Sequence, residues 1–123
     1  MMSDDKNNFD DTTINVDQER KRKNIDSLGL RLKVLEGPDK GKEYPLVYTK
    51  ITIGRKNTDI ELSNPLVSRK HVEIEVLGRG YYFVKDLASR NGTFVNGESI
   101  TNQRIKPYDE IKIGDTILTI IET

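Results

Sequence analysis

From Leu30 to the end of the chain, no apolar stretch runs long before a turn-forming residue interrupts it, and that rhythm limits the fold more than any other feature. Leu30, Leu32 and Val34 alternate with Arg31 and Lys33, then Gly37-Pro38-Asp39-Lys40-Gly41 supplies a turn. Ile51-Thr52-Ile53 and Ile60-Glu61-Leu62 read as two short strands. Val72, Ile74 and Val76 alternate with Glu73 and Glu75, and Gly78-Arg79-Gly80 turns that strand into Tyr81-Tyr82-Phe83-Val84. Thr93-Phe94-Val95 and Glu98-Ser99-Ile100 flank Asn96-Gly97, a dipeptide suited to a type I′ hairpin because both positions tolerate positive φ. Ile111 and Ile113 alternate with charged neighbours, and Gly114-Asp115 leads into Thr116 to Ile121. A period of two, broken every eight to twelve residues by Gly, Asn or Asp, predicts an all-β antiparallel sandwich with its loops gathered at the two ends. No helix of two turns is expected after residue 28.

The first 28 residues differ in kind. They hold only scattered large apolar side chains (Phe9, Ile14, Val16, Ile25) and no sustained period. Such a segment buries too little surface to offset ordering entropy, so 1–28 is expected to be a disordered regulatory tail and 29–123 a single domain. The charge balance is neutral, with 20 basic and 20 acidic residues, which argues against long-range attraction to nucleic acid or membrane. The chain has no cysteine, so disulfides, thiolate catalysis and zinc-thiolate sites are excluded together. With no apolar run near 18 residues and no signal-peptide core, the expected location is cytoplasmic.

Enzyme signatures are wanting. One histidine, His71, cannot build a multi-histidine metal site and has no nucleophile pattern around it. Gly78-Arg79-Gly80 is too short for a nucleotide-binding loop. Neither catalysis, nor a cofactor, nor a metal is expected.

Four segments remain, each at a strand end: Gly54-Arg55; Ser68-Arg69-Lys70-His71; Asn91-Gly92-Thr93; and Asn96-Gly97. In this order and spacing they resemble the forkhead-associated (FHA) family over about residues 30 to 122. The resemblance implies a sandwich of about eleven strands that binds phosphothreonine peptides through loops at one end. It implies that Arg55 and Ser68 hold the phosphate, that Arg69 assists, and that Asn91 fixes the register of the peptide main chain, with Arg90 placed for a further contact. His71 would brace the loops without touching phosphate, and Gly54, Gly92, Thr93, Asn96 and Gly97 would support them. The chemistry agrees, since a phosphate dianion needs permanently charged planar donors and hydroxyl or backbone donors on loops that a rigid scaffold holds. Ser68 is expected to donate through both its hydroxyl and its N–H. Leu66 and Val67, just before it, suggest an aliphatic residue third after the phosphothreonine.

The tail carries Asp10-Asp11-Thr12-Thr13-Ile14-Asn15-Val16, in which Thr13, or else Thr12, is a candidate phosphosite. Thr13 would place the aliphatic Val16 third after it. Small bacterial FHA regulators with a Thr-Thr tail are phosphorylated there by a Ser/Thr kinase and then bind their own phosphothreonine, releasing target enzymes. This chain has a similar layout, with Asp-Asp before the threonines where those regulators carry a glutamate-led motif. The expected partners are therefore phosphothreonine proteins, a Ser/Thr kinase and the chain's own tail, giving autoinhibition. The alternative is a phosphate-independent interaction scaffold built on the same sandwich.

Overall fold

A computed structural model describes residues 22–123. Eleven strands follow one another: β1 Arg31–Glu36, β2 Glu43–Pro45, β3 Lys50–Gly54, β4 Ile60–Glu61, β5 Val72–Gly78, β6 Tyr81–Asp86, β7 Thr93–Val95, β8 Glu98–Ile100, β9 Asn102–Ile105, β10 Ile111–Ile113 and β11 Thr116–Ile121. They form a six-stranded sheet, β2-β1-β11-β10-β7-β8, and a five-stranded sheet, β4-β3-β5-β6-β9. All pairings are antiparallel except β3 with β4, where Ile53 stands beside Ile60. The loop between them doubles back because Asp59 Oδ2 accepts hydrogen bonds from the N–H and hydroxyl of Thr52 in β3.

Alternation puts one side of each strand into the core. Leu32 and Val34 of β1, Ile74 and Val76 of β5, Tyr82 and Val84 of β6, and Leu118 and Ile120 of β11 are each no more than 1% exposed. These side chains interdigitate between the sheets, as two twisted sheets each with one apolar face require. The Asn96-Gly97 turn has φ of 50° and 88°, the doubly positive pair of a type I′ hairpin.

Two strands have no counterpart in the sequence reading. β2 and β9 are short, mostly exposed edge strands whose polar residues leave no alternation to read. The expected boundary at residue 28 also needs correction. Asp26–Leu28 forms a 3₁₀ turn, Asn24 bridges to Tyr48, and Ile25 packs against the core, so residues 22–28 lie on the domain. Two partly buried apolar side chains, Ile25 and Leu28, plus backbone pairing suffice for this, and neither shows as a period in sequence. Thr12 and Thr13 lie outside the described residues. Among the described residues, no helix is long and apolar enough to cross a membrane.

Strand directions sort the loops into two ends. Thr93 pairs with Ile113, so the loops before β7 and after β10 share one end. Gly54, the end of β3, and the start of β5 stand there too, since Ile53 pairs with Val72.

Candidate functional site

Gly54 closes β3 where two backbones nearly touch. A Cβ on it would lie 1.9 Å from Arg69 O, so only glycine lets the β4–β5 loop pass this closely. The contact fixes Arg55. Its N–H donates to Ser68 O at 3.0 Å, and its Nε–H donates to Val67 O at 3.1 Å. The guanidinium is thereby aimed over the sandwich end with its two terminal amino groups unpaired among the described residues.

The β4–β5 loop is built from below. Asn64, 1% exposed, donates from Nδ2 to Thr116 Oγ1 and accepts the Leu66 N–H on Oδ1, both at 3.0 Å. Ser63 N–H donates to Asp39 Oδ2 at 2.7 Å, tying the loop to the β1–β2 turn. Burial pushes the Asp39 carboxyl up, but hydrogen bonds from Ser63 and Lys42 outweigh it and hold the group below its ordinary value.

His71 is fully buried and braces two loops at once. Its Nδ1 accepts the Ser68 N–H at 3.0 Å, so the ring proton sits on Nε2, which donates to Gly92 O at 2.8 Å. The ring thus ties the Ser68 and Gly92 loops together, and its bond to Ser68 corrects the expectation that this N–H donates to a ligand. The Ser68 N–H is spent on the imidazole three residues on, so only the hydroxyl remains to donate. That hydroxyl oxygen accepts the Arg90 N–H at 2.9 Å, which leaves its own proton for a ligand.

Asp86 organises the β6–β7 loop. Its carboxylate accepts the hydroxyls of Ser89 and Thr93 and the Ser89 N–H, while Ser89 Oγ accepts the Gly92 N–H. Burial raises the Asp86 carboxyl, but these donors overcome it and lower it from the ordinary 3.8. Gly92 adopts φ of 85°, a left-handed turn natural to glycine. The folded loop carries Arg90 to the surface and sets Asn91 to donate from Nδ2 to Leu66 O at 2.8 Å.

Three loops thus enclose one groove of about 490 Å³, lined by Arg55, Ser68, Arg69, Lys70, Arg90 and Asn91, with Pro65 and Leu66 along one wall. The four cations have no carboxylate partner among the described residues. A cluster of unpaired guanidinium and ammonium groups with a hydroxyl donor suits a phosphate-sized anion.

All five residues expected to contact a peptide line this groove, and Gly54, His71, Gly92 and Thr93 stand behind it. Asn96 and Gly97 do not. They lie at the far end, past Val95, where Asn96 bonds Asp109 and Glu110 and so supports the β9–β10 loop. Val67 is 1% exposed and cannot reach a ligand, whereas Leu66 is 46% exposed. The sequence reading passed over Lys70, Asn64 and Asp86. Asp86 had a signal, a serine three residues on and the Gly-Thr pair beyond it; Asn64 had none, since its partner is 52 residues away.

A sequence profile of the FHA domain matches residues 51–114. The chain is 39% identical over 84 residues to an oxoglutarate dehydrogenase inhibitor of Corynebacterium efficiens, covering 68% of this chain and 58% of that protein. It is 37% identical over 84 residues to the glycogen accumulation regulator GarA of Mycolicibacterium smegmatis, covering 68% and 52%. The match thus spans little more than half the length of these curated relatives. The fold is similar to the FHA domain of the CT664 protein from Chlamydia trachomatis, with a TM-score of 0.72 and 26% identity, covering 76% of this chain and 97% of that one. With eleven strands in two sheets and loops converging on a cationic groove, the chain belongs to the FHA-domain family.

Proposed function

We propose that this protein is a non-catalytic, cytoplasmic phosphothreonine reader whose own tail becomes its ligand when a Ser/Thr kinase modifies Thr13 or Thr12. The observation that carries the reading is the groove in which Arg55, Arg69, Lys70 and Arg90 converge without carboxylate partners around the Ser68 hydroxyl. In this reading Arg55 and Ser68 hold the phosphate, Arg69, Lys70 and Arg90 add charge, and Asn91 turns its amide to the peptide main chain. Each charge-assisted bond contributes about 1.5–3 kcal/mol, so two or three give micromolar affinity after ordering costs. Leu66 and Pro65 form the apolar wall that a residue such as Val16, third after Thr13, would meet.

FHA domains as a family bind phosphothreonine peptides, and relatives named as an enzyme inhibitor and an accumulation regulator support a regulatory role. Phosphorylating the tail adds roughly −1.5 to −2 charges and three acceptor oxygens, enough to occupy the groove and displace an outside target.

The test is a titration of labelled peptide 10–17, phosphorylated on Thr13, against the unphosphorylated chain. Micromolar binding that disappears without the phosphate and falls at least tenfold in Arg55→Ala is expected. Binding indifferent to both changes would instead favour a phosphate-independent scaffold.

A further inference from the structure

β1 starts at the end of the sandwich opposite the groove, because Arg31 pairs with Ile121 and Glu36 with Ile117, next to the groove-side Thr116. β1 has six residues, so a tail leaving at Leu30 would start about 20 Å from the groove loops. Residues 22–29 change that starting point.

The 3₁₀ turn Asp26–Leu28, closed by Gly29 in the left-handed region, reverses the chain, and Asn24 then pairs antiparallel with Tyr48. Ile25 N–H donates to Val47 O at 2.8 Å, and Thr49 N–H donates to Lys23 O at 3.1 Å. In an antiparallel pair, stepping back from Asn24 to Arg22 means stepping forward on the partner, from Tyr48 toward Lys50. That is the direction of β3, which ends at Gly54, just before Arg55. Arg22 ends the described segment in a clamp: its guanidinium lies 4.4 Å from the centre of the Tyr48 ring and 3.1 Å from Asp59 Oδ1. Asp59 is itself held to Thr52. The register thus puts Arg22 level with Lys50, with its side chain reaching forward to Asp59, five residues and about 17 Å short of Arg55 along the strand. Further down, Arg79 Nη2 donates to Leu28 O at 2.7 Å and Ile25 packs on the core, so the reversed segment is anchored along its length.

We propose that residues 22–28 are a guide strap that turns the tail back from the far end of the sandwich and points it toward the groove end, with Arg22 between Tyr48 and Asp59 as its last clamp. The proposal rests on the self-binding reading above and adds the element that makes self-binding favourable. From Thr13 to Leu30 the link is seventeen residues, but from Thr13 to Arg22 it is nine. A nine-residue flexible link has a root-mean-square span of about 17 Å, closer to the distance left to cover than the roughly 23 Å of seventeen. Loop-closure scaling alone makes the shorter link close about threefold more often.

The strap would look the same if its only work were to cover that flank, so the test must read direction. The chain has no cysteine, so Asp17→Cys offers a single position for a nitroxide label. In the unphosphorylated chain the label should broaden the amide signals of Arg55, Ser68 and Arg90 more than those of Asn96 and Asp109. The Arg22→Ala/Tyr48→Ala double variant, checked for folding by its amide spectrum, should lose that bias. Equal broadening at both ends, or a bias unchanged in the variant, overturns the proposal. With Thr13 phosphorylated, an external labelled phosphothreonine peptide should bind more weakly than to the unphosphorylated chain, and the double variant should recover about threefold. If the phosphorylated wild-type chain binds that peptide undiminished, self-binding fails and delivery with it. If the weakening is normal and survives in the double variant, the strap alone fails.

Discussion

Replacing Gly54 by alanine puts a methyl carbon 1.9 Å from Arg69 O, 2.7 Å from Arg69 C and 3.0 Å from Lys70 Cα. All three are backbone atoms, so no side chain can swing aside. The β4–β5 loop must retreat by about 1–1.5 Å to reach an ordinary contact, or β3 must bend away from it. Either movement acts on the hydrogen bonds from Arg55 N–H to Ser68 O at 3.0 Å and from His71 N–H to Ile53 O at 3.0 Å. Overpacking costs about 1–3 kcal/mol and a lost backbone hydrogen bond about 1 kcal/mol, against at most ~1 kcal/mol regained from a less flexible unfolded chain. The net expectation is about 2–3 kcal/mol of destabilisation, read as a lower urea midpoint at unchanged slope. Binding should suffer separately, because Arg55 and Ser68 sit on the two segments being pushed apart. Losing one charge-assisted bond of about 1.5–3 kcal/mol weakens phosphopeptide affinity by roughly 10- to 150-fold under conditions where the variant is folded. A variant with the wild-type midpoint and an affinity within twofold would refute the close-approach argument.

Other residues give further expectations. His71→Ala should cost about 3 kcal/mol, since it opens a cavity and strands the Ser68 N–H and Gly92 O, and it should weaken phosphopeptide binding although the ring never meets the ligand; a urea melt and a peptide titration check both parts. Asp86 has a folded-state carboxyl lowered from 3.8, so its contribution is fully present above that value and is lost as pH falls through the folded-state value. Asp86→Asn should therefore lower stability at neutral pH and flatten the acid limb of the pH–stability curve below about pH 4, which urea midpoints from pH 2 to 7 would reveal. Asn96→Ala, at φ of 50° and deprived of its bonds to Asp109 and Glu110, should destabilise by about 1–2 kcal/mol yet leave the phosphopeptide Kd unchanged; a tenfold loss of affinity would place that hairpin back among the binding loops.

What sequence alone determined here is local. Alternation at Leu30–Val34, Val72–Val76 and Ile111–Ile113 is the direct imprint of strands with one buried face, and Asn96-Gly97 dictates its own hairpin through φ. Gly54-Arg55, Ser68, His71 and Asn91 were read as a set through their resemblance to the FHA family, each standing at a strand end. Tertiary structure decided everything that depends on partners distant in the chain. It spends the Ser68 N–H on His71, turns Val67 inward and Leu66 outward, rests the loop on Asn64 and Thr116, and sets Asn96-Gly97 at the end away from the groove, where they support the β9–β10 loop. It also draws residues 22–28 onto the domain by the partly buried Ile25 and Leu28, a few backbone bonds and an arginine between a ring and a carboxylate. Such pairings carry no period and no motif. They exist only after the sheets have folded and brought residues such as Arg22 and Asp59, or Asn64 and Thr116, within a hydrogen bond of each other.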